Sequence, residues 1–315
     1  LERAQTKRRG RNLLAGFLIP LLFLIGCTPA SPTATSAPPP SATPTLEVAT
    51  PTSAPDYVSQ IRNAQYQLGL PNSLRVIQLV DGEFKTSDPT SADYVSVAMM
   101  DHISRGDLNG DGVDEIAVAI AENYGGTGNF VFIAVYSIVN GELVFQTSTL
   151  VDDRPAINML AMANGEVFLD AITHGAEDPF CCPTLRNERH YRLIDNQLQL
   201  SDYVTFTPDG RARTITIESP LDGTEVFGSV QIKGSVAIAP FENNLAYRIY
   251  DVGGVELSAG AVAVTAPDLG APGTFDTVIN LGGLLSGSTI RIEIQDVSAA
   301  DGSLFAMDSI ELVVK

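Results

Sequence analysis

Over the last hundred residues, apolar and polar positions alternate with period two and break at short polar intervals. TITIESP (214–220), SVQIKGSVAI (229–238), NLAYRIYDV (244–252), ELSAGAVAV (256–264), TFDTVINL (274–281), TIRIEIQDV (289–297) and SIELVVK (309–315) predict seven strands. Strands this short, bounded by turns, predict a β-sandwich over 213–315. The region before it opens differently. In DYVSQIRNAQYQLGL (56–70), Tyr57, Ile61, Ala64 and Leu68 recur at helical spacing, and Gly69 with Pro71 ends the pattern. Thereafter LRVIQLV-DG-EFK, YSIVNGELVF, LAMANGEVFLDAI and YRLIDNQLQL each set DG, NG or DN between β-rich runs, the signature of tight hairpins. The fold class expected is mainly β, with an α+β domain at 56–205 and the sandwich after it.

The residues before 56 do not share this patterning. LLAGFLIPLLFLIG (13–26) is continuously apolar and follows the basic segment KRRGRN (7–12). Fourteen residues containing Pro20 suit the apolar core of a signal peptide better than a membrane span. The run ends in Leu24-Ile25-Gly26-Cys27, which resembles a bacterial lipobox. The resemblance implies cleavage before Cys27 and a lipid on its sulfur. An uncleaved apolar anchor is the competing reading, and both place residues 28–315 outside the cytoplasm. Leu1 stands where a start methionine would, so the start is expected upstream or at an alternative codon. Residues 28–55 are almost wholly Pro, Thr, Ser and Ala, with Leu46 and Val48 alone able to pack. Such a segment buries no core and favours an extended, disordered linker.

Charge narrows the partners. The 315 residues carry 19 basic and 37 acidic side chains. Five bases (Arg3, Lys7, Arg8, Arg9, Arg11) and one acid (Glu2) precede Cys27, leaving 14 against 36 and a formal charge of −22 after it. Nucleic acid is excluded, because phosphate binding needs Lys and Arg to displace counterions. Anionic lipid would repel the chain, so membrane contact falls to the N-terminal lipid.

The sandwich residues carry a resemblance of their own. ITIESPLDGTEV (215–226), VQIKGSVAIAPFENNLAYRIYD (230–251) with its Phe241-Glu242 pair, TFDTVI (274–279) and the closing IELVVK together resemble the immunoglobulin-like domain associated with bacterial spore germination proteins. The resemblance implies the sandwich fold and little about function.

Two stretches of the first half suggest chemistry. In GDLNGDGVDEIAV (106–118), Asp107, Asn109, Asp111 and Glu115 stand at positions 1, 3, 5 and 9 of a calcium-loop register, Gly112 at 6 and Val113, through its carbonyl, at 7. Calcium takes six to eight oxygens, and closely spaced carboxylates without a cation repel one another. Position 12 is Val118 where an EF-hand has Glu, and EIAVAIA reads as a buried strand. The loop therefore resembles those of repeat-containing β-propellers, although it occurs once. A structural calcium ion is expected there, with a water-filled Asx turn as the alternative.

In HGAEDPFCCPTLRNERH (174–190), Cys181 and Cys182 are adjacent between Pro179 and Pro183. In an exported chain an oxidised pair is expected. Free thiols, or a soft-metal site completed by His174 and His190, are the alternatives. The loop at 106–118 followed by DPFCCPT resembles a recurring module of exported bacterial proteins, which implies a domain but no activity.

Catalytic signatures are few. The three histidines stand beside no GxSxG, HExxH or comparable motif, and His102 reads as a structural histidine. ENYGGTGNF (122–130) reads as a hairpin turn, since no helix follows to receive a phosphate. The reading is a non-catalytic, lipid-anchored envelope protein that binds an envelope protein or wall polymer. The alternatives are an exported hydrolase or redox protein using the Cys181–Cys182 turn, and a sensor of external calcium.

Overall fold

A computed structural model describes residues 56–70, 72–86 and 88–315. The signal segment, Cys27 and the linker at 28–55 lie outside the described residues. The chain is mainly β. Asp56 caps the single α-helix among the described residues, α1 (Tyr57–Arg62), accepting a hydrogen bond from Ser59 N at 3.1 Å.

The helix ends earlier than its apolar spacing predicts. Residues 65–68 form strand β1 (Gln65–Leu68), which pairs with β2 (Arg75–Gln78). Tyr66 and Leu68 are buried and alternate with exposed glutamines. Tyr66 also meets the Tyr136 ring edge-on at 5.2 Å. That tertiary contact, with strand alternation, outweighs the helical spacing of Ala64 and Leu68.

Five strands form the next sheet, in chain order: β3 (Glu83–Lys85), β4 (Ser96–Gly106), β5 (Glu115–Asn123), β6 (Phe130–Val139) and β7 (Glu142–Asp153). This sheet is buried on both faces. Ile116, Val118, Ile120, Phe132, Ala134 and Tyr136 pack against α1, β1 and β2. Ala117, Ala119, Val131, Ile133 and Val135 face the opposite way, onto Leu160, Val167, Leu169 and Tyr191. Double burial is why β5 and β6 read as unbroken apolar runs and do not alternate.

The opposing face belongs to β8 (Ala156–Ala163), β9 (Glu166–Thr173), β10 (Leu185–Ile194) and β11 (Gln197–Phe206). The hairpin turns at Asn140-Gly141, Asn164-Gly165 and Asp195-Asn196 have positive φ at both central residues, as two-residue turns of this hand require.

The sheet does not stop at β11. After the two-residue β12 (Ala212–Arg213) come β13 (Ile215–Ser219), β14 (Thr224–Val226), β15 (Ser229–Val236), β16 (Asn244–Asp251), β17 (Glu256–Thr265), β18 (Gly273–Asn280), β19 (Thr289–Val297) and β20 (Leu304–Val314). All seven segments predicted from alternation lie on strands, and only the short β12 and β14 were not expected. β17 pairs with β16 along most of its length and with β18 at Val264 and Thr265, so one strand links the two layers of the sandwich. Ile232, Ile249, Val262, Ile279, Ile292 and Leu312 fill the space between them. β20 in turn pairs with β11 at Asp202↔Asp308, Tyr203↔Met307 and Val204↔Ala306, carrying the sheet from one half to the other.

Candidate functional site

The acidic loop joins β4 to β5 and is wound by its own side chains. Asp107 accepts from Gly110 N at 2.7 Å and from Gly112 N at 2.9 Å. Asn109 Oδ1 accepts from Asp111 N, and Asp111 Oδ1 accepts from Val113 N. Gly110 and Gly112 sit at φ +76° and +82°, where a side chain would be strained. These are nested Asx turns.

Glu115 closes the loop from the first residue of β5. It is 1% exposed, and its carboxylate accepts from Leu108 N at 2.9 Å and Asn109 Nδ2 at 3.1 Å. Asn109 Nδ2 also donates to Asp111 at 3.2 Å, so one amide bridges two carboxylates. Of the residues expected to act together, Asn109, Asp111 and Glu115 are joined by side-chain hydrogen bonds, and Asp107 winds the same loop through the Gly110 and Gly112 amides. Val113 takes part through its amide N–H. Among the described residues, no three His, Cys, Asp or Glu side chains are arranged to hold a metal. The donor chemistry nonetheless suits calcium. Glu115 is a buried carboxylate with only neutral donors against it among the described residues, and a buried charge is costly without a counter-charge.

At the second stretch a disulfide joins Cys181 to Cys182, with Phe180 beside it 86% exposed. His174 does not turn to the sulfurs. Its Nδ1 lies 3.0 Å from Asp152 and its Nε2 3.2 Å from Phe180 O. The Asp152 hydrogen bond raises the His174 pKa against the opposing effect of burial. His190 is further along β10, bound through Nδ1 to Glu166 at 2.9 Å, its ring tilted against Phe168 with centroids 5.1 Å apart.

Glu166 gathers a network that no motif announced. Besides His190 it accepts from Arg192 at 2.9 Å and from Ser201 Oγ at 3.1 Å. Burial opposes its ionisation, but His190 and Arg192 outweigh burial and hold its pKa down at about 2. Ser201 and His190 both bind the carboxylate and not each other. In a catalytic triad the histidine stands between serine and acid, so this cluster lacks the nucleophile–base contact of one. Arg192 extends it to Asp222 at 2.9 Å, across the junction into the sandwich.

Beside this network, Asp202 of β11 lies opposite Asp308 of β20. Burial and then mutual repulsion push Asp202 up to about 7, and burial pushes Asp308 to about 6. Asp308 accepts from Ile217 N and Ser309 N. The only sequence signal for this pair is a polar residue interrupting an apolar strand in SDYVTF and again in AMDSIEL.

His102, expected as a satisfied structural histidine, sits where the β4–β5 register shifts, and its buried Nδ1 has no hydrogen-bond partner among the described residues. The glycine-rich turn at 124–129 joins β5 to β6, as read from the sequence. Asn123 holds it, accepting from Gly125 N at 2.8 Å and donating to Gly126 O at 3.0 Å. Among the described residues no helix is long and apolar enough to cross a membrane.

No curated protein matches the chain. Residues 214–303, which span β13 to β19, match the family described as the immunoglobulin-like domain of bacterial spore germination, a domain consistent with a non-catalytic binding or structural module.

Proposed function

We infer that this protein is a non-catalytic binding or assembly module of the bacterial cell envelope. A lipid on Cys27 tethers it, the 28–55 linker holds it off the membrane, and the folded part binds an envelope protein or wall polymer through its loops. The observation that carries this reading is the match of the sandwich to a germination-associated immunoglobulin-like family, an association that suggests an extracellular or surface setting.

Calcium has a structural role in this reading. Asp107, Asn109, Asp111, Glu115 and the Val113 carbonyl would hold it, supplying the cation that buried Glu115 lacks, and fixing the direction in which β5 leaves the loop. Extracellular sites of this kind bind at Kd on the order of 0.1–1 mM. At ten times Kd, calcium is expected to add about 1.4 kcal/mol, read as a higher Tm in a calorimetric scan. Identical scans in millimolar calcium and in EDTA would refute the ion.

Binding itself is tested by sedimenting the purified folded chain with isolated envelope fragments. Saturable co-sedimentation that unlabelled protein displaces is expected. Protein left wholly in the supernatant over a range of fragment concentrations would count against the reading.

A further inference from the structure

A cavity of about 560 Å³ opens at one end of the sandwich, where β12, the loop before β16 and the β19–β20 hairpin meet. A volume of that order encloses a small molecule. Its walls come from both halves of the chain, and Arg213 and Phe305 lie outside the family-matched span. The lining is largely apolar. Ile238 is nearly buried, whereas Phe241 and Leu269 are 72% and 70% exposed and have apolar surface still to cover.

Two charged side chains interrupt that lining. Asp296 is only 6% exposed, yet its carboxylate accepts no hydrogen bond from the described residues. Arg213 Nη1 lies 3.7 Å from it, beyond hydrogen-bond length, and the guanidinium sits 5.0 Å from the Phe305 ring centre. Among the described residues the Arg213 side chain makes no hydrogen bond either. Arg211, the neighbouring base, is already engaged by Asp209. Burial raises the Asp296 pKa and Arg213 only partly offsets it, so the carboxylate is poorly compensated where it stands.

An unfilled acceptor and an unfilled donor fork therefore stand side by side on an apolar wall. A buried polar group without a partner is costly, so a ligand that supplies both partners gains more than apolar contact alone gives. We propose that this cavity binds a small zwitterion with an apolar side chain, of the free α-amino-acid class. The ammonium group donates to Asp296, the carboxylate accepts from Arg213, and the side chain lies against Ile238, Phe241, Leu269 and Phe305. The site is independent of how the chain is tethered and of what its other loops bind.

The test is calorimetric titration of the purified chain with L-phenylalanine, and with two analogues that each lack one head group, phenethylamine and 3-phenylpropionate. Saturable binding of L-phenylalanine is expected, with each analogue weaker by at least about tenfold, the equivalent of about 1.4 kcal/mol. Arg213→Gln is expected to weaken L-phenylalanine similarly without weakening phenethylamine. Asp296→Asn is expected to weaken L-phenylalanine without weakening 3-phenylpropionate. The proposal is overturned by no saturable binding of L-phenylalanine up to about 10 mM, where a millimolar Kd would show. It is also overturned if either analogue matches L-phenylalanine. The analogue comparison uses unaltered protein, so it decides the matter even if a variant misfolds.

Discussion

Gly234→Ala is expected to cost the sandwich about 3 kcal/mol or more, at the upper end of what overpacking produces. Gly234 lies on β15 between β13 and β18, opposite Ile217 on one side and Phe275 on the other. A Cβ there would fall 2.1 Å from Thr216 O and 2.4 Å from Phe275 Cζ. Neither neighbour can yield cheaply. The carbonyl belongs to a paired strand, and the ring is 3% exposed in the core.

Gly260→Ala makes the control. Its Cβ would meet the Tyr247 ring at 2.5 Å, but the atoms it meets are the far end of a half-buried side chain and not a paired backbone carbonyl. About 1 kcal/mol or less is expected there. Denaturant midpoints of the two variants check this: equal shifts, or a larger one for Gly260→Ala, would show that the β13–β15 contact is not the tighter one.

The second large effect is on pH dependence. In the fold Asp202 and Asp308 hold their protons to about 7 and about 6, well above the ordinary aspartate value of 3.8. Between those limits the native state binds more protons than the unfolded one, so stability falls as pH rises. Glu188, Glu166 and Asp222 add negative charge near the pair, and His190 and Arg192 oppose them.

His190 acts in the same direction. Glu166 raises its folded pKa, so its contribution is present at low pH and lost as pH climbs through that value. Glu166, held at about 2, loses its contribution only below about pH 4.5 and does not act in this window. The protein is therefore expected to be more stable at pH 5 than at pH 8 by about 2 kcal/mol or more. Asp202→Asn should raise Tm at pH 8 and flatten the profile. A flat wild-type profile, or an unchanged slope in the variant, would contradict the pairing.

Legibility in the sequence follows the range of the forces involved. NG and DN turns could be read because positive φ at two adjacent residues is a local demand. The apolar run of β5 could be read as a buried strand because burial on both faces leaves few polar positions. Helix α1 was over-extended because the contact that makes residues 65–68 a strand involves Tyr136, seventy residues away. For the same reason no motif points to Asp202 with Asp308, or to Arg213 with Asp296. Each pair is brought together by the sheet that runs through β11 and β20. The acidic loop is an intermediate case. Spacing alone brings Asp107, Asn109, Asp111 and Glu115 into one loop, but the same oxygens serve backbone amides or a cation, and spacing does not choose between them.

An oxidised cysteine pair, millimolar calcium and an envelope partner all presuppose that residues 28–315 lie outside the cytoplasm. The most direct test is metabolic labelling of the full chain, expressed in a bacterium, with an alkyne fatty acid. The wild-type chain should be labelled and should partition with membranes, and Cys27→Ala should be unlabelled. A wild-type chain that takes no label, or a Cys27→Ala chain labelled as strongly, would contradict the lipid tether on which this account of the protein rests.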